Sequence, residues 1–282
     1  MQKIPIRGIK ERPLENRFNI TKLESLLSEN DMIQELHRHA FFFVLFLKDG
    51  NGEHIIDFTP YPVKKNSIFF MRPGQVHQLQ LKKGSAGYLM QFDQNFYSPQ
   101  LASSKSIFKK VSHKNYYSLH AEKFQKLLLI LSNINEEHSQ KQAHYEEVIK
   151  ANLKILFIEI VRQSHHTSTV SKKTLYSQER LEEFLELVET HLSSHKSIAE
   201  YAEMMHLSTF QLNKITKETL GKTSSQILNE QILLEAKRNL LGTLNQINQI
   251  AYELGYEDSS YFIRFFKKHT GISPEVFRKN FK

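Results

Sequence analysis

Two groups of side chains in the last third of the chain have the chemistry needed to recognise DNA bases. They are Phe210, Asn213, Lys214 and Lys217, and, 50 residues later (260 − 210), Ser260, Ile263, Arg264 and Lys267. Amide, ammonium, guanidinium and hydroxyl groups can hydrogen-bond to base edges in the major groove, and an exposed phenylalanine or isoleucine can contact a thymine methyl. The spacing i, i+3, i+4, i+7 places each group on one face of a helix. We therefore predict two helices that each present four side chains to a duplex.

A repeated pair of helices positions these two groups. Each copy begins with a short helix whose apolar stripe includes one small alanine, where a second helix can cross closely. The stripes are Ile198, Tyr201, Ala202 and Met205, and, 49 residues later (247 − 198), Ile247, Ile250, Ala251 and Leu254. The second helices match at a shift of 50, so the second turn is one residue longer. A short helix, a turn and a second helix form the helix-turn-helix layout.

The second helices also have an apolar face opposite the base-recognising groups. Its members are Leu212 and Ile215 in the first copy, and Phe262, Phe265 and Phe266 in the second. Between the copies, residues 223–241 are predicted to form one continuous helix, about 27 Å long at 1.5 Å per residue. Adjacent turns of the major groove lie about 34 Å apart, so both units could dock on one face of a bent duplex.

Local signals mark where the helices begin and end. Ser197 with Glu200, and Ser208 with Gln211, have the spacing of capping boxes. Gly255 suits the left-handed position that ends a helix. The pair Ser273-Pro274 is typical of a helix start, with a cap followed by proline in the first turn.

Composition narrows the class of protein without locating the DNA contact. The formal net charge is +8, but residues 171–282 carry 15 basic against 14 acidic side chains, so the excess lies upstream. The absence of cysteine excludes disulfides and thiolate chemistry. No apolar run is long enough for a membrane helix, and the first residues have no secretory pattern, so we expect a cytoplasmic protein that spans no membrane.

The last hundred residues resemble a known family. The stretch INQIAYELGYEDSSYFIRFFKKHTGISPEVFRK resembles the second helix-turn-helix of AraC/XylS transcription regulators, and SIAEYAEMMHLSTFQLNKITKETLG resembles the first. The resemblance covers residues 181–282 and departs at Thr216 and Glu218, where the family usually has an aromatic and a basic residue. It implies promoter DNA and RNA polymerase as partners. The base contacts that it implies fall on Phe210, Asn213, Lys214, Ser259, Ser260, Ile263 and Arg264.

The first half of the chain has a different pattern. Between residues 36 and 92, short aromatic and β-branched runs alternate with turn dipeptides, which predicts a small antiparallel sandwich or barrel. Residues 122–137 and 145–163 then have helical spacing of apolar side chains. These two amphipathic helices could pack on the sheets or against a second copy of the chain, so we expect a homodimer.

The segments QELHRHAFFFVLFLKDG and FFMRPGQVH resemble the cupin barrel that many members of this family use to sense a small molecule. In metal-binding cupins, an HxH pair, a glutamate four residues later and a distant histidine form the site. Three positions match, at His37, His39 and His77, but Phe43 occupies the position of the acid. We therefore expect no metal and no cofactor, and histidines that line an organic-ligand pocket or are simply packed. The aromatic run Phe41, Phe42, Phe43 and Phe46 is expected to form core.

These patterns combine into one prediction. The fold is α+β, with a cupin-like ligand-sensing and dimerisation domain over residues 1–163, a linker over 164–178 and a double helix-turn-helix domain over 179–282. The predicted function is sequence-specific transcription regulation modulated by a small molecule, without enzymatic activity. The predicted DNA-binding residues are Phe210, Asn213, Lys214, Lys217, Ser259, Ser260, Ile263, Arg264 and Lys267.

Two alternatives remain open at this point. A metal-dependent cupin enzyme with a helical appendage would be distinguished by stoichiometric metal in the purified protein. A purely structural or partner-binding helical module would be excluded by salt-dependent DNA binding.

Overall fold

The computed structural model describes residues 6–7, 17–164 and 172–280, and for residues 6, 7, 164 and 172–175 it gives the backbone only. The chain divides into two compact units close to residue 166. None of the helices in those ranges combines the length and apolar character that crossing a bilayer requires.

The first unit consists of strands followed by helices. Its elements are β1 (Ile6–Arg7), β2 (Phe18–Lys22), α1 (Leu23–Leu26), β3 (Met32–His39), β4 (Phe42–Asp49), β5 (Gly52–Ile56), β6 (Thr59–Val63), β7 (Ser67–Met71), β8 (Val76–Leu81), β9 (Ala86–Phe92), α2 (Ala102–Ser112), β10 (Tyr116–Ser118), α3 (Ala121–Gln140) and α4 (Tyr145–Ser164). The strands form two sheets with the orders β1-β3-β8-β5-β6 and β10-β7-β4-β9-β2. All pairings are antiparallel except that of β1 with β3. This cupin-like pair of sheets confirms the predicted sandwich.

Strand β4 is buried on both faces, because it separates two apolar cores. Phe43, Leu45 and Leu47 belong to the core between the sheets. Phe42 and Phe46 belong to a second core, which the helices α2, α3 and α4 complete. The aromatic run is core, as predicted, but it serves two cores rather than one. The apolar faces of α3 and α4 therefore pack on the sheet of their own chain.

The second unit is helical throughout the described residues. Its helices are α5 (Lys172–His191), α6 (Ile198–Met204), α7 (Thr209–Leu220), α8 (Ser224–Gly242), α9 (Ile247–Glu253), α10 (Ser259–Thr270) and α11 (Pro274–Asn280). Helix α8 confirms the continuous helix predicted between the two helix-turn-helix units. Together the two units confirm the α+β class.

The predicted linker, residues 164–178, is too long at its carboxyl end. Residues 165–171 lie outside the described residues, but α5 already begins at Lys172. Leu181, Phe184 and Val188 of α5 are buried in the core of the second unit, and Ser177, one turn before Leu181, is buried as well. The helix therefore extends upstream of its obvious apolar stripe into a polar sequence.

Candidate DNA-binding interface

The first helix-turn-helix consists of α6, a short turn and α7. The Ser197 hydroxyl accepts from the N–H of Ala199 at 3.2 Å, and the Glu200 carboxylate accepts from the N–H of Ser197 at 2.9 Å. An equivalent capping box between Ser208 and Gln211 begins α7. Both predicted capping boxes are therefore confirmed.

The second helix-turn-helix repeats this geometry in α9 and α10. The N–H of Leu207 donates to the carbonyl of Ala202 at 2.8 Å, and the N–H of Tyr256, 49 residues later, donates to that of Ala251 at 2.9 Å. His206 and Gly255, which precede these donors, both have left-handed backbones, with φ of 54° and 82°. The two turns thus share one bend, and the extra residue of the second turn follows it.

Gly255 is required at its position for a further reason. A Cβ added there would lie 1.6 Å from the carbonyl oxygen of Ser193. His206 in the first turn is exposed, so a side chain fits at the equivalent position. The second turn therefore packs against the chain that follows α5.

Apolar side chains attach both second helices to the rest of the unit. In α7, Leu212 and Ile215 are buried. In α10, Phe262 and Phe266 are fully buried, whereas Phe265 is half-buried and packs on the core of the first helix-turn-helix. These faces agree with the sequence prediction.

Thr216 is the residue of α7 that corresponds to Phe266 in α10. It is fully buried, and its hydroxyl donates to the carbonyl of Asn213 at 3.1 Å. A threonine buries much less apolar area than a phenylalanine, so α7 has less apolar area than α10 to hold it in place.

The predicted base-recognising residues lie mostly on the exposed faces of α7 and α10. Phe210 is 76% exposed and Ile263 is 37% exposed, which leaves both apolar side chains accessible to a partner. The remaining exposed members are Lys214, Lys217, Ser260, Arg264 and Lys267. Asn213 and Ser259 are half-buried.

Asn213 has a structural contact that the sequence did not predict. Its Oδ1 accepts from the backbone N–H of Ser224 at 3.0 Å and from the Ser224 hydroxyl at 2.8 Å. The side-chain carbonyl thus satisfies a donor in the first turn of α8. Bidentate recognition of adenine requires both the carbonyl and the amino group, and here the carbonyl is already occupied.

The sequence analysis also missed two residues beside Arg264. The exposed ring of Tyr261 lies 4.6 Å from the Arg264 guanidinium, a cation–π contact. Asp258 is the cap of α10, because its carboxylate accepts from the N–H of Ser260 at 2.8 Å. That bond, with the Ser260 hydroxyl and the charge of Arg264, lowers the pKa of Asp258. Aspartate is a preferred capping residue, so this signal was present in the sequence.

The three predicted histidines of the first unit come together. His37 and His39 lie on β3, His77 lies on β8, and all three are buried between the sheets. The ring of Phe43 stacks on that of His39, with the centroids 5.2 Å apart. A fourth histidine, His54 on β5, is also fully buried, and its Nε2 lies 2.8 Å from Nδ1 of His77. Burial is the largest of the causes that lower the pKa of His54 to about 3, so this ring is neutral at pH 7.

Two family models match successive parts of the chain. A family model described as an AraC-like ligand binding domain matches residues 28–185, and one described as a helix-turn-helix domain matches residues 201–280. The HTH-type transcriptional activator RhaR of Mannheimia succiniciproducens is 25% identical over 254 residues, which cover 87% of this chain and 87% of the relative. RhaR of Yersinia pestis is 21% identical over 252 residues, which cover 87% and 84%.

Two solved structures are similar to the chain. An AraC-type regulator from Chromobacterium violaceum is 27% identical and covers 38% of this chain and 96% of its own, with a TM-score of 0.34. ToxT from Vibrio cholerae O395 is 14% identical and covers 94% and 98%, with a TM-score of 0.45. The family model of the ligand-binding domain extends over more than half of the chain, and a helix-turn-helix model follows it. The chain therefore belongs to the AraC family of transcription regulators, as a DNA-binding regulator with an N-terminal ligand-binding domain.

Proposed function

We propose that this regulator recognises its promoter by placing α7 and α10 in successive turns of the major groove. The observation that carries the proposal is the repeated geometry of the two helix-turn-helix motifs. Each motif has an exposed polar face on its second helix. Lys214 and Lys217 supply hydrogen-bond donors on the first helix, and Arg264 and Lys267 supply them on the second. Helix α8 spans the sequence between the two helix-turn-helix motifs, which supports docking of both motifs on DNA at a fixed separation.

The half-buried position of Asn213 refines this proposal. With its carbonyl bonded to Ser224, Asn213 holds the amino end of α8 against α7. We assign it a positioning role, and the base contacts of the first helix to Phe210, Lys214 and Lys217. On the second helix, the contacts are assigned to Ser259, Ser260, Ile263, Arg264 and Lys267.

The proposal includes regulation without catalysis. The group of described side chains that could hold a metal consists of His37, His39 and His77 and contains no carboxylate. A carboxylate general base is therefore missing from that cluster, which supports a sensing role over a cupin enzyme. The proposed partners are promoter DNA, RNA polymerase and a small-molecule effector.

A homodimer is the proposed assembly. Although the main apolar faces of α3 and α4 are covered within the chain, Leu129, Val148 and Ile155 on these helices are exposed. A second copy would cover them. Sedimentation equilibrium of the full chain and of an Ile155→Glu variant tests this assembly, because a charge at the interface should shift the equilibrium toward monomer.

Salt-dependent binding tests the proposed function against a helical module that binds only protein. Binding of the full chain to duplex DNA should weaken steeply between 50 and 200 mM salt, because phosphate contacts release counterions. Lys217→Ala should weaken binding, whereas Arg180→Ala should not, although both remove one positive charge from the same unit. Arg180 lies on α5 and pairs with Glu183 at 2.7 Å. Binding that is absent at low salt, or that both variants weaken equally, would contradict the proposal.

A further inference from the structure

Three imidazole nitrogens converge in the interior of the N-terminal sandwich. Nε2 of His77 lies 2.9 Å from Nε2 of His37 and 2.9 Å from Nε2 of His39, and the last two atoms are 3.2 Å apart. The three side chains are only 1%, 5% and 1% exposed for His37, His39 and His77. Bulk water therefore does not separate these atoms.

The contacts of the other ring nitrogens orient the cluster. Nδ1 of His37 lies 2.7 Å from the carbonyl oxygen of Glu35. A carbonyl can only accept, so this Nδ1 carries the hydrogen, and Nε2 of the neutral ring presents a lone pair to the cluster. Nδ1 of His77 lies 2.8 Å from Nε2 of His54. When His77 donates to His54, its Nε2 also presents a lone pair.

Hydrogen bonds alone do not explain why three Nε2 atoms lie so close together. A neutral imidazole has one N–H, and that N–H can point well at only one of its two neighbours. A cation at the centre would interact with all three lone pairs at once. Histidine ligands of metals characteristically donate their other N–H to a carbonyl or a similar acceptor, as His37 does here.

We infer that the N-terminal domain binds one late first-row divalent metal ion, with zinc as the best-fitting member, through Nε2 of His37, His39 and His77. Zinc accepts three protein ligands when its fourth position stays open. Zinc–nitrogen bonds of about 2.0–2.1 Å in a tetrahedral arrangement require nitrogen atoms about 3.3 Å apart, so the cluster has to open by only a few tenths of an ångström. His54 does not bind the metal itself; it holds the His77 ring in place through the contact between its Nε2 and Nδ1 of His77.

This inference revises the expectation of no metal, which rested on Phe43 standing where an acidic ligand would be. In the structure, the Phe43 ring stacks on the His39 ring with an angle of 5° between the planes, so Phe43 packs against a ligand and does not take the place of one. Three neutral imidazoles favour zinc, nickel and copper, and disfavour magnesium and manganese, which prefer oxygen. The inference is independent of the proposed DNA contacts, and it means that metal content alone does not distinguish a cupin enzyme from a regulator that binds zinc.

Zinc titration of the untagged full-length chain tests the site. The protein is stripped with a chelator, dialysed, and titrated with zinc alone against a chromophoric competitor. One zinc per chain should bind and survive gel filtration, whereas His37→Ala and His77→Ala should lose it. His54→Phe should weaken zinc binding by about 10- to 100-fold, as the loss of an outer partner does. His120→Ala is the matched control, because His120 is an exposed histidine of the same unit and should leave the binding unchanged.

A second measurement uses the parent protein only, in case the variants fail to fold. Zinc-edge X-ray absorption of the loaded parent should show three imidazole ligands at about 2.0–2.1 Å. Fewer than three imidazoles, no stoichiometric uptake by the parent, or equal loss in His120→Ala and His77→Ala would each overturn the inference.

Discussion

Ala251→Leu should remove DNA sequence discrimination before it unfolds the domain. Ala251 lies in the apolar stripe of α9, is fully buried, and accepts at its carbonyl the hydrogen bond from Tyr256 that forms the turn. Helix α9 packs directly against α10. A leucine adds three carbons at this position, and overpacking of that kind typically costs about 1–3 kcal/mol or forces the backbone to move.

The consequence for DNA binding follows from the attachment of α10. A good bidentate contact with a base is worth about 1–3 kcal/mol of discrimination and depends on hydrogen-bond geometry, so a displaced recognition helix loses it. Phosphate contacts tolerate displacement better, because charge attraction falls off slowly with distance. We therefore expect a loss of roughly 10-fold or more in specific affinity, since 1.4 kcal/mol is a factor of ten. Binding to a scrambled duplex should change little.

The matched control is Ala199→Leu, because Ala199 is exposed on α6 and lies off the apolar stripe. Binding of the parent and both variants to a specific and a scrambled duplex is measured by fluorescence anisotropy, with thermal melts of the same samples. Ala199→Leu should behave as the parent does. If Ala251→Leu binds and discriminates like the parent, Ala251 does not lie at a tight crossing and the reasoning is refuted.

Four further predictions follow from particular contacts. Arg264→Ala should weaken specific binding by about 1–3 kcal/mol and relax discrimination at one base pair, whereas uniform weakening on all sequences would identify a phosphate contact. Gly255→Ala should lower the melting temperature far more than Gly221→Ala, because both have positive φ but only Gly255 faces a carbonyl, 1.6 Å from an added Cβ; equal shifts would contradict this. Asn213→Ala should lower the free energy of unfolding by about 1–3 kcal/mol, since it removes the Oδ1 atom that accepts from both the N–H and the hydroxyl of Ser224; unchanged stability in denaturant titration would contradict a positioning role for Asn213. A fragment of residues 172–282 should fold alone and bind DNA at low salt, and a folded fragment that does not bind would contradict the domain assignment.

Local signals made the helix-turn-helix units predictable. A capping box links two residues that are three positions apart, and a left-handed glycine acts within its own turn, so both can be recognised without tertiary information. The cap of α10 was missed because Asp258, Ser259 and Ser260 are all good capping residues. The hydrogen bond from the N–H of Ser260 to the Asp258 carboxylate identifies Asp258 as the cap.

Long-range contacts account for the features that the sequence did not predict. Strand β6 contains Pro60 and Pro62, which argue against a central strand, but among the described strands it pairs with β5 alone, at the edge of its sheet. The role of Asn213 depends on Ser224, eleven positions away on another helix. The types of the three histidines were visible in the sequence, whereas the convergence of their Nε2 atoms results from pairing β3 with β8.

Selection of bound sequences from random duplex DNA tests the central claim most directly. The full chain, Lys214→Ala and Arg264→Ala are compared at one salt concentration. If α7 and α10 each recognise bases, the parent should select, for each bound chain, two short segments separated by about one helical turn, 10–10.5 base pairs. Lys214→Ala should relax the base preference at a position within one segment, and Arg264→Ala at a position within the other. A single selected segment, or the loss of the same segment in both variants, would contradict the account.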